Sequence, residues 1–196
     1  MPEERNVVRR ALRRVVTGEG KDGKSMLVSN TLVDPIETPL LPGAQFFSIW
    51  GADREPTLPN DGVRPSYRTW CPPDGGFRFE LISIPPGRAA DPADRTAADT
   101  EEAIAETEER LPGLLETMEP GTSGMHRTDT VDLIYIASGA CVLQLDSGTK
   151  IELETGDTVV QNGARHTWRN PNAQPCKLLT ISLGVKRAGA GGPSSR

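Results

Sequence analysis

The chain has 196 residues, enough for one sizeable domain and too few for two comfortable ones. A net charge of −5 is the wrong sign for a phosphate backbone or an anionic membrane surface, and no apolar run approaches the length of a membrane span. With 20 glycines and 17 prolines, the composition favours many short strands and turns over a helical bundle.

The first segment, Met1 to Arg14, is charged and lacks the apolar centre of a secretory signal. Arg9, Arg10, Arg13 and Arg14 suggest a basic arm, but a solvated segment with Val7, Val8 and Leu12 as its apolar side explains them more simply. Strands are predicted at 14–17 and 25–28 around the Gly18 to Gly23 turn, and again at 46–50. Residues 53–75, rich in Pro, Asp and Gly, read as a loop. Phe77 to Ile84 reads as a strand, stopped by Pro85-Pro86-Gly87.

The stretch 91–119 holds ten acidic residues against two arginines. Within it Asp99 to Arg110 reads as a helix, with Asp99 capping the first turn and Glu102 three residues on. Ile104 and Leu111 are expected to face the core, and the acidic run is a solvated face rather than a cation site. From 120 onward strands are predicted at 124–129, 131–137, 140–146, 149–153, 157–161, 165–169 and 177–184, with a hairpin turn at Asp146-Ser147-Gly148-Thr149. Short antiparallel strands in series suggest an all-β jelly-roll barrel. The tail 188–196 is small and polar, and disorder is expected there.

Cys71, Cys141 and Cys176 are scattered, form no CxxC pair and are odd in number, so reduced thiols and a cytoplasmic location are expected. The chain has two histidines, His126 and His166, each expected in a strand after a glycine-containing turn.

Two runs carry a resemblance. His126, Asp132 and Gly139 fall on the register G-x5-H-x-H-x3-4-E-x6-G, with Gly121 one residue nearer His126 than that pattern places it. Gly156, Gly163, His166 and Asn170 match G-x5-P-x-G-x2-H-x3-N, with one residue fewer between the glycines and Gln161 where proline is usual. Together, in order and 40 residues apart from histidine to histidine, they resemble the two motifs of the cupin superfamily, in its single-domain conserved-barrel form. The resemblance implies a double-stranded β-helix barrel with N-terminal strands and one acidic surface helix. Residues 1–119 would pack on the barrel, 120–187 would carry its motifs and 188–196 would trail, all within one domain.

In metal-binding cupins the matching positions supply two His and a Glu from the first motif and a His from the second. Here Thr128 stands at the second His position and Asp132 at the Glu position. What remains, His126, Asp132 and His166, is the two-His-one-carboxylate set of non-haem Fe²⁺ sites, so Fe²⁺ is favoured, with Zn²⁺, Mn²⁺ or Ni²⁺ as other ions such a set accepts. These three are the expected metal ligands and catalytic residues. Thr128, Gln161 and Trp168 are the expected substrate-pocket residues. Tyr135 has the wrong parity to share the face of Asp132 and is expected to pack against another layer; Arg165 and Arg169 are expected to face outward or across a dimer contact.

The function expected is a small-molecule metalloenzyme, oxygenase-like, acting on an aromatic or polyketide-like substrate. The alternatives are a non-catalytic small-ligand cupin and a metal-free lyase or cyclase. A homodimer is expected because so small a barrel exposes sheet edges.

Overall fold

The computed structural model describes residues 11–87 and 97–188, with no side-chain description for Ala97 to Asp99. The expectations for residues 1–10 and for most of the tail lie outside the described residues. Strands β1 (Leu12–Glu19), β2 (Ser25–Val33), β3 (Gln45–Ala52) and β4 (Phe77–Ile84) precede helix α1 (Ala97–Arg110). Then come β5 (Thr130–Ser138), β6 (Ala140–Leu145), β7 (Lys150–Glu154), β8 (Thr158–Asn162), β9 (His166–Arg169) and β10 (Cys176–Gly184).

A five-stranded sheet, β3-β4-β10-β5-β8, faces a three-stranded sheet, β7-β6-β9, and every pairing is antiparallel. This is an all-β two-sheet barrel. Inward residues alternate along each strand, so Ile134 and Ile136 of β5 meet Cys141 and Leu143 of β6, Leu153 of β7 and Cys176 and Leu178 of β10 in the inter-sheet core. The sheet crosses position 120: β3 and β4 supply two of its five strands.

The β1–β2 hairpin forms a separate two-stranded layer. Leu12 and Val33 from it lie on Phe47, Ile49 and Leu81, which point away from the barrel interior. Arg14 fastens the hairpin, donating to the Ile49 carbonyl at 3.0 Å. β1 therefore starts at Leu12, inside the segment expected to be solvated. The neighbouring outer face of β5, β8 and β10 is open, with Leu133, Tyr135, Val160, Ile181 and Leu183 exposed. Tyr135 has the outward parity its position predicts, but no second layer among the described residues covers it.

Residues 53–76 form an irregular loop, and Arg78 holds it to the sheet. This side chain is wholly buried. It donates to the carbonyls of Ala52, Thr69, Trp70 and Phe77, pairs with Asp53 at 2.6 Å and stacks over Tyr67. Main-chain carbonyls satisfy the guanidinium in place of water.

Helix α1 departs from expectation in phase. It opens at Ala97, two residues before the expected cap at Asp99, and Ala103 and Thr107, followed by Leu111 just past its end, are the buried positions. These lie at i, i+4 and i+8, one face of a helix. Ile104, one residue on, is turned about 100° away and is exposed.

Candidate functional site

His166 opens β9, and its main chain pairs with that of His126: His126 N–H donates to His166 O at 2.9 Å and His166 N–H to His126 O at 3.0 Å. His126 is not in a strand. The segment expected at 124–129 makes single bridges only, His126 to His166 on one side and to Met118 on the other. With two positive-φ glycines just ahead of it (Gly121 and Gly124), this stretch turns too often to sustain a ladder. Outside the barrel, Arg165 grips Glu119 with two nitrogens at 2.6 and 2.5 Å and Asp146 with a third at 3.1 Å, tying the approach to His126 onto the approach to His166. That forked bond holds the Glu119 carboxyl below its ordinary range.

The two imidazoles lie with centroids 4.2 Å apart and planes tilted by 51°. Each ring has Nδ1 at 2.9 Å from a main-chain carbonyl two residues earlier, Gly124 for His126 and Ala164 for His166. A carbonyl only accepts, so Nδ1 carries the proton and the lone pair of each neutral ring is on Nε2. Burial favours the neutral form of both. It lowers His126, against the pull of the Gly124 carbonyl and of Asp132 and Glu119. Burial, reinforced by His126, pushes His166 down to about 4.

The pair lines a cavity of about 260 Å³, near the small end for ligand sites, between the sheets and under the loop. Its apolar wall includes Leu41, Phe46, Trp70, Ile82, Leu114 and Met118. Phe46 and Trp70 meet edge to face at 5.5 Å. The polar part carries Thr128, Thr130, Asp132, Thr180, Ser182 and Glu80. Trp168 stands at the wall, its ring edge-on to His166 at 6.0 Å. Thr128 also lines the cavity and shares a 2.6 Å hydrogen bond with Thr130.

Gln161 is placed differently. It is buried and its amide donates to the Ala164 carbonyl at 3.0 Å, pinning the turn into β9 and so supporting His166 from behind. Arg165 faces outward, whereas Arg169 reaches the cavity rim and donates to the Ser123 carbonyl.

Asp132 is buried on β5, with burial raising its carboxyl and the hydroxyls of Ser182 and Thr130 pulling it back; its Oδ1 is enclosed and has no hydrogen-bond partner among the described residues. Nitrogen and carboxylate donors suit Fe²⁺ or Zn²⁺ chemically, but a single ion needs them around one point. Among the described residues no group of three His, Cys, Asp or Glu is arranged to hold one. The histidines meet and Asp132 does not join them, so the residues as placed do not fit a three-ligand ion.

Two further polar groups at this cavity escaped the sequence reading. Glu80 reaches it from β4. Cys71 is at its wall, and burial beside Glu80 and Asp132 pushes its thiol up to about 12, which leaves it without a thiolate at neutral pH.

A two-sheet β-barrel with a histidine pair inside it defines the class of protein. Residues 114–182 match the family described as cupin domain. It is 41% identical over 69 residues to oryzines biosynthesis cluster protein J of Aspergillus oryzae, a match covering 34% of this chain and 38% of that one. It is 35% identical over 65 residues to the cupin-domain-containing oxidoreductase srdB of Neurospora crassa, covering 33% of each. The matches thus span little more than a third of these relatives. Among solved structures, the Cnp3 cupin domain of Schizosaccharomyces pombe aligns over 88% of this chain and 87% of its own at 10% identity and TM-score 0.44. The polyketide cyclase RemF of Streptomyces resistomycificus aligns over 80% and 82% at 15% identity and TM-score 0.41. Among the described residues no helix is long and apolar enough to cross a membrane.

Proposed function

We propose that this chain is an enzyme acting on a small, mostly apolar organic molecule with a carbonyl group, and that the His126–His166 pair moves a proton on the carbon beside that carbonyl. The observation that carries this reading is the pair itself: two imidazoles 4.2 Å apart, each tied by Nδ1 to a carbonyl, in a largely apolar cavity. A neutral imidazole with a free Nε2 is a general base, and a neighbouring ring gives the proton a second resting place. Isomerisation, elimination and cyclisation all begin with such a step. The name of the Aspergillus oryzae relative, which places it in a biosynthesis cluster for oryzines, agrees with a small-molecule substrate.

A second reading is the metalloenzyme, oxygenase-like and Fe²⁺-dependent, with His126, Asp132 and His166 as ligands, which requires Asp132 to move from its present place onto the histidine pair. The unpartnered Oδ1 of Asp132 favours it, as does the relative named an oxidoreductase. A ligand-binding cupin without catalysis is the third.

One experiment separates them. The protein is incubated with 2-tetralone, an apolar ketone, in D₂O, and loss of the α-proton signal is followed by NMR. Exchange above the buffer rate that survives a chelator is the expected result. Turnover only with added Fe²⁺ under air supports the second reading, and binding without exchange supports the third.

The homodimer belongs to the same proposal. The open apolar face made by Leu133, Val160 and Ile181, one cross-strand row, gives a second copy something to cover. Light scattering at micromolar concentration is expected to read twice the chain mass; a monomer mass removes the proposal.

A further inference from the structure

Glu80 projects from β4 into the cavity that holds His126 and His166. It is 4% exposed, and its Oε1 is enclosed with no hydrogen-bond partner among the described residues. In register it stands opposite Thr180 of β10 and Ser48 of β3, so its flanking strands bring hydroxyls and no charge. The ionisable groups that bear on it come from its own strand and from further off. Arg78 lies two residues back, and its nitrogens are already held by four carbonyls and Asp53. Asp132 stands on β5, with β10 between the two strands, and the un-ionised Cys71 thiol faces it from the loop. Burial and Asp132 both oppose ionisation of Glu80, and Arg78 offsets them only in part.

A buried carboxyl oxygen without a partner costs free energy unless something else completes it. None of the described residues does, and Glu80 lines the cavity, so a ligand atom there could complete its carboxyl group. A neutral carboxyl in an apolar site donates a strong hydrogen bond to an oxygen that gains negative charge.

We propose that Glu80 is a further catalytic residue of this cavity: as a neutral carboxylic acid it donates its proton to the substrate's carbonyl oxygen while an imidazole of the histidine pair takes the proton from the adjacent carbon. The inference rests on the acid–base reading above. In the forward step the C–H bond breaks and an N–H bond forms; the carbonyl π pair moves to oxygen and takes the Glu80 proton, giving a neutral enol, an imidazolium and a carboxylate. The return step gives the imidazolium proton to carbon and the enol proton back to Glu80. No electrons enter or leave, and no co-reactant is needed.

Glu80→Gln keeps an N–H donor at nearly constant volume but cannot transfer a proton; Glu80→Leu removes the donor altogether. Three measurements test the proposal. First, the infrared difference spectrum of the parent minus Glu80→Gln at pH 7 is expected to contain the C=O band of a protonated carboxyl. A carboxylate band there overturns the proposal, whatever any ligand does.

Second, the pH dependence of melting follows from linkage. A folded-state carboxyl held above its ordinary range contributes stability fully present below its unfolded pKa, near 4.5, and lost as pH rises toward the folded value. The parent is therefore expected to lose melting temperature relative to Glu80→Gln as pH rises from about 4.5. Parallel curves count against it.

Third, α-proton exchange of 2-tetralone separates this inference from the reading beneath it. Both variants are expected to lose at least tenfold in rate, with Glu80→Gln holding 4-nitrophenol, an enol mimic, within about threefold of the parent and Glu80→Leu holding it tenfold more weakly. If His166→Ala abolishes exchange and Glu80→Leu does not, Glu80 is not the acid and the histidine reading stands. If neither variant alters exchange, both fail. Because the infrared and melting measurements use no ligand, failure of either probe to bind leaves the protonation of Glu80 decided.

Discussion

His166→Ala is expected to lower turnover of a carbonyl substrate by about 10²–10⁴-fold, the usual worth of a positioned general base, while the barrel stays folded. The loss falls on chemistry because the ring contributes a lone pair, and its main-chain bonds to His126 survive the substitution. His126→Ala is expected to cost less, since the second ring assists the first. The pH profile of the parent carries the sign of the shift. A ring pushed down to about 4 is already the free base at neutral pH, so the rate is expected to be level above pH 5 and to fall as pH drops through about 4. A profile that instead breaks near 6.5, the ordinary histidine value, would remove His166 as the base. Steady-state rates from pH 3.5 to 8, expressed per folded chain, check both statements.

Gly139→Ala is expected to destabilise the fold by about 2–5 kcal/mol, combining about 1–2 for a left-handed backbone with about 1–3 for overpacking. Gly139 sits at the β5–β6 turn with φ of 79°, and an added Cβ would lie 2.4 Å from the Pro175 carbonyl oxygen and 3.0 Å from Cys176 Cα. Both obstacles are backbone at the start of β10, the strand at the middle of the five-stranded sheet, so relief would require moving the sheet itself. Urea unfolding followed by tryptophan fluorescence measures the change in midpoint. A loss under about 1 kcal/mol would mean that the turn gives way more easily than its geometry implies. The closing glycine of the first motif is thus a packing requirement of the barrel, independent of the chemistry at the histidines.

The strands of the barrel were readable because most have one buried face, and alternation marks that face plainly. Residues 131–137 carry inward Ile134 and Ile136 between outward Leu133 and Tyr135. The same rule fails on β4. Phe77, Phe79 and Leu81 look like the core side, yet Phe79 and Leu81 lie under the β1–β2 hairpin while Arg78, Glu80 and Ile82 face the interior. A strand covered on both faces gives no clue as to which face meets the ligand, and Glu80 was lost to that ambiguity. A buried-looking glutamate inside Phe-Arg-Phe-Glu-Leu was the available signal. The histidines were found because they are the only two and sit on paired motifs. That they touch depends on a bridge between segments 40 residues apart, and that Gln161 serves the turn rather than the pocket depends on a hydrogen bond three residues along. Spacing carries neither fact. The helix was located and Leu111 does face inward, but the buried side of the helix itself carries the small residues Ala103 and Thr107, which apolar spacing does not flag, while the larger Ile104 is exposed.

The backbone bridge between His126 and His166 separates two tasks that often compete in evolving enzymes. The spacing of the imidazoles follows from amide pairing and from ring-to-carbonyl tethers, none of which depends on the identity of Leu41, Phe46, Trp70 or Leu114. Those wall positions can change shape without unsettling the spacing of the two rings. The proposed chemistry would then be set by the main chain, and the choice of guest by the wall residues.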